Sequence, residues 1–197
     1  MKKMIHGAAI GVPVLLLAGA AEAHTGHGGA SGLVAGFGHP LGGLDHMLAM
    51  IAVGVLGFQS GGRAKWALPI AFVAMMVAGG MLGLGGIGLP LVELGIVGSA
   101  IVLGLVIALG RKLPVAVAAP MVGAFAVFHG HAHGAEMPVG ASVWEFGAGF
   151  VAATLLLQGA GIALAKSVEK TAPQFASVAT RVGGAAIAMA ALGFAAV

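Results

Sequence analysis

The sequence predicts an all-α membrane protein, a six-transmembrane-helix bundle that follows an N-terminal signal peptide. Of its 197 residues 59% are hydrophobic and only 8% are charged, whereas an ordinary soluble domain has about 25% charged residues. The mean hydropathy is +1.08. This composition excludes a water-soluble globule, and the apolar residues fall into segments long enough to cross about 30 Å of hydrocarbon as helices.

The N-terminus has the order of a secretory signal peptide. Lys2 and Lys3 precede an apolar stretch from about residue 8 to 20, and Ala21-Glu22-Ala23 ends it in a small-residue pattern. Cleavage is expected after Ala23, which leaves residues 24–197 as one transmembrane domain. The alternative is an uncleaved first span, for which the apolar run is short.

Short connectors separate the six predicted spans, so no soluble domain is expected. Gly61-Gly62-Arg63 is the first of these connectors, and Lys166 to Pro173 is the longest. The spans cover approximately residues 31–58, 64–83, 90–110, 113–133, 141–165 and 175–197.

Basic residues occur at alternate connectors, which predicts the orientation. The second and fourth connectors have no Lys or Arg, whereas the first, third and fifth, with the adjoining span ends, carry Arg63, Lys65, Arg111, Lys112, Lys166, Lys170 and Arg181. By the positive-inside rule the odd connectors face the cytoplasm. A multi-pass protein of the cytoplasmic (inner) membrane is expected, with both mature termini on the outer, periplasmic side. Glu93, Glu136 and Glu145 then form a mildly anionic outer vestibule that concentrates cations.

The composition also limits the chemistry. The chain has no cysteine, which excludes disulfides, iron–sulfur clusters and thiol catalysis. Fifteen scattered charges form no basic patch, so no nucleic acid partner is expected. Eight histidines, largely clustered, are the unusual feature, and any metal must bind imidazole, carboxylate, thioether or backbone groups.

The first span contains His39-Pro40-Leu41-Gly42-Gly43-Leu44-Asp45-His46. His39 and His46 are seven residues apart and would share one face of a helix, with Asp45 beside them. Pro40 removes one helical hydrogen bond and, with the two glycines, loosens the helix locally. Broken helices at membrane depth occur where they line a site.

The fourth span ends in Phe128-His129-Gly130-His131-Ala132-His133-Gly134-Ala135-Glu136. His129, His133 and Glu136 follow at i, i+4 and i+7 and form a second stripe, whereas His131 points to the opposite side. The two stripes are predicted to meet in the outer half of the membrane.

Ionisable groups are costly in hydrocarbon, at least about 2.5 kcal/mol for a mid-helix Asp. The clustered side chains are therefore expected either to pair with other polar groups or to have a function. Ligation of Ni²⁺, Co²⁺ or Zn²⁺ suits imidazole and carboxylate donors; a purely structural hydrogen-bond network is the alternative. Met47 and Met50 allow Cu(I) through thioethers, although such methionines are usually core filler. His24 and His27, at the mature N-terminus, either capture metal outside the membrane or belong to a disordered tail.

These residues resemble the motifs of the HupE/UreJ family of nickel and cobalt permeases. The resemblance rests on His39-Pro40-x-x-Gly43-x-Asp45-His46 and Phe128-His129-Gly130-x-Ala132-His133-Gly134-x-Glu136, and the signal peptide, span number and length agree. It implies a secondary permease that imports Ni²⁺ or Co²⁺ for metalloenzymes or cobalamin. In that family both motifs are held to be needed for transport, which implicates His39, Asp45, His46, His129, His133 and Glu136.

The expected mechanism is ligand exchange, in which the ion passes from the fourth-span stripe to the first-span stripe and then inward. No prosthetic group is expected, because Ni²⁺ or Co²⁺, with Zn²⁺ as a further candidate, is the cargo. Ion gradients, the membrane potential or trapping by cytoplasmic metallochaperones would drive uptake. The rivals are a membrane-embedded zinc-dependent hydrolase and a metal sensor or accessory subunit that moves no ion. The sequence does not indicate the oligomeric state.

Overall fold

A computed structural model describes residues 32–195, and within that range the chain is helical throughout, without strands. The predicted signal peptide and the pair His24 and His27 lie outside the described residues. Seven α-helices follow one another: α1 (Gly32–Gly38), α2 (Leu44–Ser60), α3 (Ala64–Leu84), α4 (Val92–Ala108), α5 (Val115–Ala135), α6 (Val143–Thr171) and α7 (Ala176–Ala195). Single 3₁₀ turns cover His39–Leu41 and Pro173–Phe175.

The described residues contain fewer clear membrane spans than the six predicted. Helices α3, α5 and α6, and α7 with its preceding turn, are long and apolar enough to cross a membrane, and the bent pair α1–α2 makes a fifth span if it is counted as one. Helix α4 is apolar but has only 17 residues, a length of about 26 Å at 1.5 Å per residue. The structure therefore supports a multi-pass helical membrane protein.

The first predicted span is not one straight helix. Helices α1 and α2 are bent by 83° at a short break, in which Pro40 lies in the 3₁₀ turn and Gly43 has an extended backbone with φ −111° and ψ 120°. Pro40 has no N–H to continue the helical ladder. The expectation that His39 and His46 share one helical face is wrong, because the two residues lie on opposite sides of this break.

Helix α6 also differs from its prediction, because it continues to Thr171 instead of ending near residue 165. The predicted connector from Lys166 onward is largely helical. Lys, Glu and Val are all compatible with a helix, because ordinary residues differ from Ala by at most about 0.7 kcal/mol in helix propensity.

Glycine allows the closest helix contacts in the bundle. The most extensive interface joins α3 and α5, where a Cβ at Gly79 would overlap the backbone of Val127 and one at Gly130 would overlap the backbone of Met76. A Cβ at Gly36 would likewise overlap Phe146 where α1 meets α6. Close approach of backbones at small residues is typical of helix packing in membranes.

The bundle has two chemically different ends. At one end the first, third and fifth connectors meet: the Gln59 side-chain amide donates to the carbonyl of Arg111, and Arg181 Nε donates to that of Ala108. A cavity of about 710 Å³ opens there, with Lys65 and Lys112 among its lining residues. We call this the charged end. The five histidines within residues 32–195 lie toward the opposite end.

Two tryptophans stand near the two ends. Trp66 begins α3 beside the charged end and is 61% exposed, whereas Trp144 begins α6 at the opposite end and is 87% exposed. Aromatic residues of this type are enriched at both membrane–water interfaces.

Candidate metal site

The break between α1 and α2 positions the first-span ligands. His39 ends up in the 3₁₀ turn, and Asp45 and His46 occupy the first turn of α2. A Cβ at Gly43 would lie 2.8 Å from Asp45 Oδ1 and 3.0 Å from His46 Nδ1. Glycine at this position therefore leaves room for the two side chains to turn back over the start of the helix.

Helix α5 supplies the facing residues. His129 and His133 lie one helical turn apart, and both are buried. The ring of His133 is 4.6 Å from that of His39 and 4.5 Å from that of His46, and the ring of His129 is 5.0 Å from that of His46, centre to centre. The predicted meeting of the two stripes is thus present in the structure as a cluster of four imidazoles, which we call the histidine cluster.

Asp45 holds His46 in one orientation. Its Oδ1 accepts the backbone N–H of His46 at 2.9 Å and lies 3.0 Å from ring Nδ1 of the same residue. A carboxylate accepts hydrogen bonds, so Nδ1 carries the proton and Nε2 keeps its lone pair. That nitrogen is buried and has no hydrogen-bond partner within residues 32–195.

Ser99 of α4 does the same for His129. Its hydroxyl donates to the carbonyl of Ile96 at 2.6 Å, so its oxygen accepts from Nε2 of His129 at 2.9 Å. The lone pair then belongs to Nδ1, which is buried and unpartnered among the described residues. Hydrogen bonds of this kind to the second ring nitrogen fix metal-binding histidines in many proteins. The sequence patterns did not identify Ser99 as a partner of the histidines, although a hydroxyl inside a largely apolar helix can indicate such a role.

His39, His133 and Glu136 form a three-residue group at the mouth of the cluster. One ligand-type atom from each lies within 4.8 Å of the others, and His39 Nε2 is 3.5 Å from Glu136 Oε2. Both ring nitrogens of His133 lack a hydrogen-bond partner in the described part of the chain. This is the arrangement that could hold a metal ion with imidazole and carboxylate ligands.

Exposure is greatest at Glu136 and His39 and least at His129. The side chain of Glu136 is 59% exposed and that of His39 is 30% exposed, whereas His46 has a side-chain exposure of 14% and His129 is fully buried. Along this gradient His39 and His46 of the first-span motif lie between Glu136 and His129 of the fourth-span motif. The expected order, in which the whole fourth-span stripe precedes the first-span stripe, does not match the geometry.

His131 takes no part in the cluster. Its Nε2 donates to the carbonyl of Ile87 at 2.8 Å, on the other side of α5, as the helical spacing predicted. Aromatic rings enclose the cluster instead: Phe150 contacts His133 at 4.3 Å, Phe72 contacts His129 at 5.5 Å and Phe146 contacts His39 at 5.7 Å between ring centres. These rings keep the dielectric constant low, which strengthens any charge interaction inside.

Known proteins are similar to this chain over most of its length. The family model described as "HupE / UreJ protein" matches residues 12–194. "Protein HupE" of Rhizobium leguminosarum bv. viciae is 47% identical over 177 residues, which cover 89% of this chain and 90% of that protein. No solved structure matches the chain.

Proposed function

This chain belongs to the HupE/UreJ family, and from that premise we propose that it is a secondary permease that imports Ni²⁺ or Co²⁺ across the cytoplasmic membrane. Membership of the family supports a role in metal transport, not in catalysis. One observation carries the proposal: unpartnered ring nitrogens of His46, His129 and His133 are buried together in an apolar interior. Each unsatisfied polar group in such a place is costly, and a metal ion would satisfy one ring nitrogen of each of these imidazoles.

The ion's route follows the exposure gradient. Glu136 and His39 bind it first, where the side chains still contact solvent, and His133 is shared between this pair and the deeper ligands. His46 and His129 then receive it in the enclosed part of the cluster. Neighbouring ligand side chains lie within about the width of one imidazole ring of each other. Each step therefore exchanges one or two ligands, and the ion stays coordinated throughout.

The charged end faces the cytoplasm in this proposal, by the positive-inside rule. A divalent cation moving inward then gains about 4.6 kcal/mol per 100 mV, twice the value for one charge. That gain alone can sustain uptake, and trapping by cytoplasmic metallochaperones would add to it.

The proposed topology has six crossings. The bent pair α1–α2 is the first, and α4 crosses with 17 residues, the lower limit for a spanning helix. A signal peptide over residues 1–23 and a permease domain over 24–197 remain part of the proposal. His24 and His27 would then stand at the outer N-terminus as an initial capture site.

Purified protein in liposomes loaded with a nickel-sensitive dye tests the function. Wild-type protein should admit Ni²⁺, and His46→Ala should reduce the rate to that of empty liposomes because the central ligand is lost. His129→Ala should lose uptake as well, and His131→Ala serves as the matched control that keeps most of it.

The outcome also separates the rivals. Saturable binding without flux would indicate a sensor or accessory subunit, and metal-dependent turnover of a lipid or peptide would indicate the hydrolase. Equal losses of nickel uptake in His129→Ala and His131→Ala would contradict the assignment of these two residues to opposite faces of α5. Competition among nickel, cobalt and zinc in the same liposomes would identify the preferred ion.

A further inference from the structure

One face of α6 connects the histidine cluster with the cavity at the charged end. Phe150, Thr154 and Gln158 follow at intervals of four residues and are all buried, so they form one stripe along the helix. Phe150 contacts the ring of His133. Ala165, further along α6, is buried and lines the cavity of the charged end.

Two polar groups interrupt this stripe. The hydroxyl of Thr154, which is fully buried, donates to Met76 Sδ at 3.5 Å. Gln158 is 1% exposed, and neither its amide nitrogen nor its amide oxygen has a hydrogen-bond partner within residues 32–195. A sulfur atom is a weak acceptor, so both side chains have hydrogen-bonding capacity to spare.

Burial of the Gln158 amide at this position has a cost in free energy. Helix α2 lies against α6 here, and a Cβ at Gly54 would overlap the carbonyl of Gln158. Leu or Met would fill such a buried position without any desolvation cost, whereas an amide that lacks partners loses the hydrogen bonds it had in water. The amide of Gln158 is therefore suited to a polar partner that binds there transiently.

The distances suit a stepwise path. At about 1.5 Å per residue, Thr154 lies about 6 Å and Gln158 about 12 Å beyond Phe150 along the helix axis, and Ala165 follows about 10 Å further on. The stripe thus covers the distance between His133 of the histidine cluster and the charged end.

We infer that Thr154 Oγ1, Met76 Sδ and the amide of Gln158 form an inner station, through which a divalent metal ion passes from the histidine cluster to the charged end. The inference rests on the proposed function. Neutral hydroxyl, thioether and amide donors hold such an ion more weakly than imidazole and carboxylate do. Weak binding suits an exit step, because conduction requires each site to release its ion.

Gln158→Leu tests the inner station, with the same change at the exposed Gln174 as the matched control. Dye-loaded liposomes report nickel uptake, and calorimetry of the detergent-solubilised protein reports equilibrium nickel binding. Gln158→Leu should lower uptake at least tenfold and leave the affinity of the histidine cluster within twofold of wild type. Gln174→Leu should change neither.

Two further variants keep the test decisive if Gln158→Leu fails to fold. Thr154→Val is nearly isosteric and should lower uptake several-fold with unchanged binding. Gln158→Glu adds a charged oxygen donor and should bind one more equivalent of nickel than wild type, which a purely structural role would not produce.

Uptake within twofold of wild type in Gln158→Leu and Thr154→Val would overturn the inner station, and so would parallel loss of uptake and equilibrium binding. Absence of extra nickel in a folded Gln158→Glu protein would also overturn it. Uptake that requires His46 but not Gln158 contradicts only the inner station, whereas wild-type liposomes without uptake contradict the proposed function too.

Discussion

Two imidazoles of the histidine cluster each have a hydrogen bond at one ring nitrogen and a buried, unpartnered nitrogen at the other within residues 32–195. Asp45 holds His46, and Ser99 holds His129. In both cases the hydrogen bond fixes the tautomer and directs the lone pair of the second nitrogen to the cluster interior. Asp45 was predicted as a ligand; its contact with His46 adds a positioning role, and its direct ligation stays a prediction.

Asp45→Asn removes the charge that fixes the proton on His46 Nδ1. The amide can present its N–H to that nitrogen, which would turn the lone pair away from the cluster. Changes of this kind in groups that support metal ligands lower metal affinity by about 10- to 100-fold. Calorimetric nickel titration of the purified protein should show this loss, with Glu169→Gln at the charged end as the control. An affinity within twofold of wild type would contradict the positioning role.

Ser99→Ala should have a smaller effect of the same type. His129 then loses the acceptor for its Nε2 proton, so its ring is free to rotate and the second tautomer becomes populated. We expect about tenfold weaker nickel binding, measured as above. Ser167, which is exposed, offers the matched change; identical affinities for the two alanine variants would mean that Ser99 does not orient the ring.

The sequence was informative about the residues of the two motifs because spacing within a helix is local. The i, i+4 spacing of His129 and His133 fixed their common face and separated them from His131. The partner of His129 could not be found in this way, because Ser99 is 30 residues away along the chain and its position depends on how α4 packs against α5.

At the scale of single elements, the break between α1 and α2 and the α3–α5 interface determine the site. Pro40 and the following glycines indicated a weakened helix, but the size of the bend, 83°, depends on where α1 packs. Helix α1 contacts α6, through backbones that approach at Gly36 and Gly149. Such a tertiary contact cannot be derived from local sequence.

Gly130→Ala tests the α3–α5 interface. The added methyl group would overlap the backbone of Met76, and forcing extra atoms into a close-packed interior typically costs about 1–3 kcal/mol. The midpoint of thermal unfolding in detergent should fall, and nickel affinity should fall with it because Gly130 lies between His129 and His133. Gly183→Ala is the control, because its new methyl group meets open space; it should change neither the unfolding midpoint nor the nickel affinity. A Gly130→Ala protein with the unfolding midpoint of wild type would refute the packing argument.

At the scale of the whole molecule, the distribution of Lys and Arg residues distinguishes the two ends of the bundle. Alternate connectors were predicted to lie on one side of the membrane from their Lys and Arg content alone, and the structure brings those connectors together around one cavity. Helices α1 and α7 place residues 32 and 195 at the other end, since Arg181 near the start of α7 contacts the end of α4.

Single cysteines resolve the orientation cleanly, because the natural chain has none. Lys112→Cys at the charged end should react with a membrane-impermeant maleimide only after the cell membrane is opened. Val139→Cys, in the exposed connector at the opposite end, should react in intact spheroplasts. The reverse pattern would invert the proposed direction of transport.

The exposed tryptophans Trp66 and Trp144 mark opposite ends of the bundle, and the chain contains no others. Replacing either one with phenylalanine leaves a single fluorophore at one end of the bundle. Lipids carrying bromine at defined acyl positions would quench each fluorophore according to its depth. The protein's own fluorescence can therefore show how its spans adjust when bilayers of different thickness surround it.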